Sequence, residues 1–487
     1  MRVALIDPPH EAFIGYRRFY YPLGLVSVGS ALEAARHHVV VFDGEHLPDG
    51  RSLSNAEVSR LFDQAIEQSC DPQHALWTRL VERVKDFEPQ VIGITVLSCK
   101  VQAALMAARL LRSAIPGAKI VVGGDHCVGF ARELAAENVI DAVCVGEGEE
   151  TARELLQAWE KGWPLQPIRG IVYRIGDRTV VNPRRSRIRE LDSLPPVNRS
   201  LLADIGDYRP NDLGLMMTSR GCPENCGFCG IGAAMGRIVR FRSIENCIEE
   251  IVSTRDRYGT EYFSFRDGTF TVDRERTIRF CRAMTDRRLG IAWECLTRAD
   301  CIDDELVRIM AEANCEQIRL GLESGSPRVL KYLGKNGSVS DYEKAASILN
   351  HQELFWSAYF IFGVPEETED DIEMTLRLIE RLQPPFITVA RFAPLPGTRL
   401  YRDAKSLVGT IDWTKQNNMC LDRSYSRHIS NESFQKIMQS LFEYAAEYNR
   451  KQAQRGGWKD RRLETIGSNC VLSIRDGGSD GRGFEEV

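Results

Sequence analysis

Two series of strand–helix units dominate this 487-residue chain, and they restrict its fold more than any other feature. In the first series, short segments that are apolar on both faces alternate with amphipathic helical segments. Such strands are typical of parallel sheets, which helices cover on both sides. We therefore predict an α/β domain over residues 1–163, with a doubly wound parallel sheet that binds its ligand at the carboxyl ends of its strands. The expected strands are 3–7, 38–43, 91–96, 119–123 and 142–146.

The second series begins after residue 211 and contains six units. Six consecutive units over residues 212–406 fit a partial (β/α)6 barrel of the TIM type better than a second open sheet. In such barrels the chemistry takes place at the C-terminal ends of the strands. The expected strands are 213–218, 262–266, 291–297, 317–322, 356–362 and 388–393.

The remaining segments differ in composition from both series. Residues 164–211 are rich in Pro, Arg and Asp, which favours a linker between two domains. Residues 407–454 are expected to form a helical C-terminal segment, with a helix over 433–454. Residues 455–487 are rich in Gly, Arg and Asp and are expected to be a disordered tail.

The charge and the cysteine content argue against some classes of protein. A net charge of −5 argues against nucleic acid as a partner. The sequence shows no apolar run of membrane-spanning length and no signal pattern in its first residues, so we expect a cytoplasmic protein with reduced cysteines. Most of the 14 cysteines are scattered through apolar segments and are expected to be small packing residues.

Three cysteines are clustered directly after the first expected barrel strand. Cys222, Cys226 and Cys229 have the spacing C-x3-C-x2-C, and the Gly, Pro and Asn between them allow a tight loop. Iron–sulfur clusters usually take four thiolates, so three would leave one iron open to bind a substrate or cofactor. The alternative is a zinc site, but zinc knuckles usually supply two separated ligand pairs, and the sequence has no second pair within range.

This spacing, with Phe228 before the third cysteine, resembles the signature of the radical S-adenosylmethionine superfamily. The resemblance implies that the three cysteines bind a [4Fe–4S] cluster, and that S-adenosylmethionine chelates the open iron through its methionyl amine and carboxylate. It also implies cleavage of S-adenosylmethionine to a 5′-deoxyadenosyl radical, with Phe228 beside the adenine. An electron donor such as flavodoxin or ferredoxin is the implied protein partner.

Later strand ends resemble the same superfamily, in order along the chain. After the second strand, Asp267 is implied to accept a hydrogen bond from the methionyl amine; after the third, Arg298 is implied to pair with the methionyl carboxylate. After the fourth strand, Glu323 and Ser324 are implied to lie near the ribose. Taken singly, Asp267 could be a turn cap, and Glu323 with Arg298 a structural ion pair. Two further matches, at the fifth and sixth strand ends, are segments 362–368 and 394–398.

The first domain resembles the cobalamin-binding domain that precedes one branch of this superfamily. Small residues at Gly123 and Gly124 would let the nucleotide tail of cobalamin pass close to the backbone. The stretches that carry the resemblance are 21–25, 93–95, 121–124 and 145–149. The residues implied to contact cobalamin are Thr95, Ser98, Gly123, Gly124 and Glu147.

One marker of the better-known cobalamin proteins is absent from the sequence. Those proteins carry the motif Asp-x-His-x-x-Gly, whose histidine binds cobalt. In segment 43–46 the histidine comes one residue too late for this motif, and in segment 125–126 it follows the aspartate directly. A doubly wound domain that holds no cofactor is therefore an alternative. A dinucleotide site is not expected, because no G-x-G-x-x-G follows the first strand. The histidines of this domain, expected to be surface or packing residues, are His10, His37, His38, His46 and His126.

The two resemblances together imply a cobalamin-dependent radical S-adenosylmethionine enzyme. We expect a C-methyltransferase that acts on an unactivated carbon of a small molecule, such as a natural-product intermediate or a lipid-like compound. A non-methylating oxidative cyclase or ring-rearranging enzyme would share both domains. A cobalamin-binding sensor or carrier is the alternative from another class, and the cysteine triad argues against it. Methylthiolation of RNA or protein usually goes with a different N-terminal domain and a basic C-terminal module, and neither is visible in the sequence.

Overall fold

The N-terminal domain of the computed structural model, which describes residues 1–455, is built on a seven-stranded sheet of order β2-β1-β3-β4-β5-β6-β7. Strands β1 to β5 are parallel, as predicted, and β6 and β7 are antiparallel. The strands are β1 (Arg2–Asp7), β2 (His38–Asp43), β3 (Val91–Thr95), β4 (Lys119–Gly123), β5 (Ala142–Cys144), β6 (Ile171–Ile175) and β7 (Arg178–Val181).

Helices cover both faces of this sheet. Because side chains alternate along β1, Val3 and Leu5 pack against the helices of one face, and Ala4 and Ile6 pack against those of the other. Helices α1 and α6 lie on the first face, and the others lie on the second. The helices are α1 (Leu23–Ala34), α2 (Asn55–Ser69), α3 (Ala75–Asp86), α4 (Val101–Ala114), α5 (Cys127–Ala136) and α6 (Gly148–Lys161).

The segment predicted as a linker contributes the hairpin β6–β7 to the sheet. Strand β6 pairs with β5 and buries Ile171, Val172 and Tyr173. A two-residue turn with Gly176 at φ 59° joins the two strands, and a Gly-Asp turn between apolar runs is a hairpin signal. Only the residues after the hairpin, which form short turns as far as Leu213, behave as a linker.

The second domain is a six-stranded parallel sheet of order β15-β14-β13-β12-β11-β8, which is the predicted partial barrel. Its strands are β8 (Leu215–Met216), β11 (Tyr262–Phe265), β12 (Ala292–Thr297), β13 (Cys315–Glu323), β14 (Phe355–Phe362) and β15 (Phe386–Arg391). A separate two-stranded pair, β9 (Ser219–Arg220) and β10 (Arg240–Phe241), closes the base of the loop that holds the cysteine triad.

Helices lie between and after the strands of this domain. The helices are α7 (Ile231–Ala234), α8 (Ile244–Tyr258), α9 (Arg274–Asp286), α10 (Asp304–Glu312), α11 (Pro327–Leu333), α12 (Val339–His351), α13 (Glu369–Leu382), α14 (Arg399–Val408) and α15 (Asn431–Gln454). No helix of residues 1–455 is both long and apolar enough to cross a bilayer. The predicted tail lies beyond these residues, apart from its first one.

The barrel does not close on itself, and other parts of the chain cover its edge strand β15. The side-chain amide of Asn449 on α15 accepts a hydrogen bond from Ile387 N at 2.9 Å and donates one to Ile387 O at 2.9 Å, as a neighbouring strand would. Asn55 of α2 donates to Val389 O at 3.3 Å. Uncovered edges invite pairing with other chains, so these contacts protect the sheet.

We predict that Asn449→Leu weakens this edge. The change leaves the N–H and C=O of Ile387 without partners, which costs about 1–3 kcal/mol each when the groups stay buried. Hydrogen–deuterium exchange of the peptide that contains β15 should therefore become faster. The control is Gln439→Leu on the same helix, whose amide donates to Glu443 within that helix. Equal exchange of β15 in wild type and Asn449→Leu would contradict the prediction.

Candidate active site

A buried carboxylate fixes the chain just before the cysteine triad. Asp267, after β11, accepts hydrogen bonds from Thr218 N at 2.8 Å, Thr218 Oγ1 at 2.8 Å and Ser219 N at 2.6 Å. A carboxylate has about four acceptor positions, so one remains for another donor. Burial raises the pKa of Asp267, although these hydrogen bonds act to lower it. The predicted bond to a methionyl amine stays a prediction, and the observed role of Asp267 is to hold the entry to the loop.

The cysteine loop has a tightly defined backbone. Gly221 has φ 103°, and a Cβ there would lie 2.5 Å from Ile238 O, so only glycine fits. Cys222 N donates to Gly236 O at 3.1 Å. On the far side, Gly227 N donates to Leu333 O at 2.7 Å. The loop is therefore held at its start, at its base and at its tip.

The three thiols of this loop suit an iron–sulfur cluster. All three are free, Cys222 is buried, and the other two are half-buried. Burial raises the pKa of Cys226 and that of Cys229, the latter to about 11, and the neighbouring thiols act in the same direction. In residues 1–455, no three His, Cys, Asp or Glu side chains are placed to hold a single metal ion. A cluster needs a wider arrangement, because each thiolate binds a different iron.

Arg298 already has carboxylate partners within the chain. Its guanidinium donates to Asp300 and lies 2.6 Å from Glu224, which stands between the first two cysteines of the loop. Burial opposes the charge, but these carboxylates raise the pKa of Arg298 overall. Arg298 therefore ties the third strand end to the cysteine loop. Its pairing with a methionyl carboxylate stays a prediction.

Glu323 pairs with a residue that sequence reasoning missed. Its Oε1 lies 2.9 Å from Nζ of Lys335, and both side chains are buried. Glu323 has φ 67°, at a bulge of β13 where the register shifts, and non-glycine residues in this conformation often mark functional sites. Lys335 also lies close enough to Cys226 to favour its thiolate. The lysine follows α11, away from any strand end, so only its place directly after Gly334 could have drawn attention to it.

Phe228 and Ser324, the two other predicted residues of the barrel, lie in different surroundings. The ring of Phe228 is partly buried against an apolar cluster that includes Val329 and Phe392. Ser324 is fully buried, and its hydroxyl lies 3.2 Å from Thr375 Oγ1 and accepts from Ser326 N. Phe228 can therefore offer a ring face, whereas the Ser324 hydroxyl is used inside the protein.

A cavity of about 420 Å³ lies at the carboxyl edge of the first sheet and reaches the barrel. Four of the predicted cobalamin-contact residues line it, namely Thr95, Gly123, Gly124 and Glu147, and so do Ser219 and Arg220 of β9. Ser98 does not line it, and the Ser98 hydroxyl lies 3.0 Å from Nδ1 of His126. The cavity extends between the sheet and helices α1 and α6, where its walls are apolar.

The shape of this cavity fits the nucleotide tail of a cobalamin. At Gly93 a Cβ would lie 2.6 Å from Leu5 Cδ2, and at Gly124, with φ 122°, it would lie 2.6 Å from Val96 O. Gly146 has open space beside it. Gly93 and Gly124 are therefore required by the packing of the sheet itself, whereas the open space at Gly146 leaves room for a ligand beside the backbone. The residues therefore fit the group that the resemblance implies.

The histidines of this domain behave largely as packing residues. Burial lowers the pKa of both His10 and His126 to about 4, so neither is charged at neutral pH. His126 stacks on Phe130, and His46 stacks on Tyr208.

A buried ion-pair network joins the cobalamin-binding-like domain to the cysteine loop. Glu147 accepts hydrogen bonds from Arg220 Nη1 at 3.1 Å, from Arg240 Nη1 at 2.9 Å and from Ile188 N at 2.8 Å. Glu149 accepts from Arg220 Nη2 at 2.6 Å. Arg220 is two residues before Cys222. The network therefore fixes the distance between the cavity and the triad, and it occupies the carboxylate of Glu147.

Two family models match the chain. The model of the radical SAM superfamily matches residues 216–379, and the model of the B12 binding domain matches residues 16–156. An uncharacterized methyltransferase of Pyrococcus horikoshii is 28% identical over 452 residues, which are 91% of this chain and 92% of that relative. An anaerobic magnesium-protoporphyrin IX monomethyl ester cyclase of Cereibacter sphaeroides is 27% identical over 351 residues, which are 70% of this chain and 57% of that relative.

Among solved structures, the cobalamin-dependent S-adenosylmethionine radical enzyme OxsB with aqua-cobalamin has the same fold. The TM-score is 0.73 at 16% identity, over 95% of this chain and 70% of that chain. The fold and the three-thiol loop thus define a two-domain protein in which a doubly wound domain precedes a radical S-adenosylmethionine barrel. The chain thus combines a B12-binding domain with a radical SAM domain that follows it. The first domain type implies cobalamin, and the second implies a [4Fe–4S] cluster and S-adenosylmethionine.

The Glu149–Arg220 pair predicts a pH dependence of stability. Burial opposes ionisation, but the charge and hydrogen bond of Arg220 lower the pKa of Glu149 below its ordinary value of 4.5. The contribution of the Glu149 carboxylate to stability is therefore complete above pH 4.5. It is lost as the pH falls through the lower pKa that Glu149 has in the folded protein. The stability difference between wild type and Glu149→Gln, measured by urea unfolding, should shrink as the pH falls towards 3.

The matched control for this experiment is Glu160→Gln, on the same helix, whose side chain is half exposed. Its stability difference from wild type should stay small at every pH. A difference for Glu149→Gln that is constant across the acidic range would contradict the coupling to Arg220.

Proposed function

We propose that this chain is a radical S-adenosylmethionine C-methyltransferase that transfers a methyl group to an unactivated carbon of a small molecule, a natural-product intermediate or a lipid-like compound. The observation that carries the proposal is the shared cavity. Gly123 and Gly124 of the first domain and Ser219 and Arg220, just before the triad, line the same space. Substrate in or beside it would lie within reach of groups held by both domains.

The residues divide the work between the two domains. When bound, the cluster with S-adenosylmethionine supplies a radical that removes a hydrogen atom, and cobalamin supplies the methyl group. The cysteine loop holds the first of these sites, with Asp267 fixing its entry. Lys335, paired with Glu323, offers a cation near the Cys226 thiol, where it would favour the thiolate that holds the cluster. The barrel walls exclude water from the radical.

The test is anaerobic purification with iron and cobalamin quantification, followed by mass spectrometry of the products of S-adenosylmethionine. Formation of both S-adenosylhomocysteine and 5′-deoxyadenosine, with an acceptor heavier by one methylene unit, is the expected result. A low-potential donor such as flavodoxin or ferredoxin should support the reaction. Absence of cluster absorbance and of 5′-deoxyadenosine would exclude the radical chemistry and favour a cobalamin sensor or carrier.

We predict that Cys222→Ala separates the roles of the two domains. Loss of one thiolate should abolish 5′-deoxyadenosine formation and lower the iron content, since the cluster loses one of three ligands. Cobalamin binding, measured by its visible absorbance after gel filtration, should be largely retained. Cys70→Ala is the control, because Cys70 is exposed in the first domain. Loss of both cofactors from a folded Cys222→Ala protein would contradict separate domain roles.

An oxidative cyclase is the second candidate, and the similarity to a magnesium-protoporphyrin cyclase supports it. Both functions would use the same cysteine loop and cavity. The products distinguish them. Formation of 5′-deoxyadenosine without S-adenosylhomocysteine favours the cyclase type.

A further inference from the structure

The barrel lumen contains a polar cluster centred on Glu294 of β12. Side chains alternate along β11, so Phe263 and Phe265 pack in the apolar core, whereas Tyr262 and Ser264 contact Glu294. Ser264 Oγ donates to Glu294 Oε1 at 2.6 Å, and Tyr262 Oη lies 3.3 Å from Oε2. Glu294 is itself buried.

Arg319 of β13 is fully paired within this cluster. Its Nε and Nη2 donate to Glu294 Oε2 at 2.9 and 2.6 Å. Its Nη1 donates to the hydroxyl of Tyr359 at 3.2 Å. Every guanidinium nitrogen of Arg319 thus has a partner, and the carboxylate of Glu294 accepts from three side chains.

Arg266, at the end of β11, is the second cation of the cluster, and it is not fully paired. Its Nη2 lies 3.6 Å from Glu294 Oε1, beyond hydrogen-bonding distance. Within residues 1–455 its guanidinium makes no closer ion pair, and 30% of the side chain is exposed. Two guanidinium groups thus share one carboxylate, and burial together with the charge of Arg319 lowers the pKa of Arg266.

The position of Arg266 is between the two domains. Its backbone N donates to Met216 O of β8, and the next residue, Asp267, holds the entry to the cysteine loop. On the other side, Tyr20 of the first domain is close enough to act on the charge of Arg266. The ring of Tyr20 in turn lies under Arg18, 5.3 Å from its guanidinium carbon. Arg266 does not line the cavity described above, and its partly exposed guanidinium lies at the carboxyl end of β11, on the same side of the strand as Tyr262 and Ser264.

We propose that Arg266 binds an acidic group of the substrate, a carboxylate or a phosphate, so that the enzyme selects anionic small molecules. This inference rests on the proposed function, which places the substrate beside the cavity, at the carboxyl ends of the barrel strands. A guanidinium with free donors binds both oxygens of such a group at once. The anion would balance the charge that Glu294 alone leaves uncompensated. Arg319 would act through Glu294, as a positioning residue of the polar side-chain cluster.

An anionic group could come from the substrate or from the methionyl part of S-adenosylmethionine, and the experiment separates the two. Wild type, Arg266→Gln and Arg266→Lys are reconstituted anaerobically with cluster and cobalamin. The control is Arg308→Gln, an exposed arginine of α10 that pairs with Glu312. Equilibrium dialysis then measures the affinity for S-adenosylmethionine. At saturating S-adenosylmethionine, it also measures the affinities for pyrophosphate, for succinate and for neutral succinamide.

The expected result is that wild type and Arg308→Gln bind pyrophosphate or succinate but not succinamide. Arg266→Gln should lose about tenfold or more of that affinity, Arg266→Lys should keep part of it, and the affinity for S-adenosylmethionine should stay unchanged. Weaker binding of S-adenosylmethionine to Arg266→Gln, with no anion bound at saturation, would assign the arginine to the cofactor and overturn the proposal. Equal anion binding by wild type and Arg266→Gln would also overturn it.

The proposed function is tested separately, by measuring the 5′-deoxyadenosine that the wild-type protein forms with a reductant. A wild type that binds anions through Arg266 but forms no 5′-deoxyadenosine would contradict the radical function and leave the anion site standing. A wild type that forms 5′-deoxyadenosine but binds no anion would overturn the anion site alone.

Discussion

The arrangement of the molecule depends on one buried carboxylate, that of Glu147. It accepts hydrogen bonds from Arg220 and Arg240 of the barrel domain and from Ile188 of the connecting segment. Removing one member of such a network leaves the other, largely buried charges unpaired, which is unfavourable. The cavity of the first domain and the cysteine loop therefore keep a fixed separation. A reaction that needs groups from both domains requires that separation.

Most of the fold could be predicted because buried parallel strands have a strong local signal. The parallel strands of the first domain are apolar on both faces, and the predicted strand positions of both domains agree with the structure to within a few residues. The hairpin β6–β7 was assigned to the linker because its short apolar run lies in a polar, proline-rich stretch. Helix α2 is marked in the sequence by its start, where Ser54 and Glu57 form a capping box. These two elements are marked by turn and cap residues more than by periodicity.

The candidate site could be predicted in position but not in its contacts. The cysteine spacing and the order of strand ends locate the residues, because parallel strands end at one edge. Which partner each charge takes depends on tertiary packing. Arg298 meets Glu224 and Asp300, and Glu323 meets Lys335, which follows a helix twelve residues later in the chain. No local pattern contains that information.

The way in which the barrel edge is covered has a consequence for synthesis. The exposed edge of β15 is paired by the side chain of Asn449, which leaves the ribosome about sixty residues after the strand itself. Until then the nascent sheet presents open N–H and C=O groups at a time when neighbouring nascent chains are close. Asn55 of the first domain, already synthesised, covers part of that edge. A residue of the first domain is thus available to cover part of the edge of β15 before Asn449 has been synthesised.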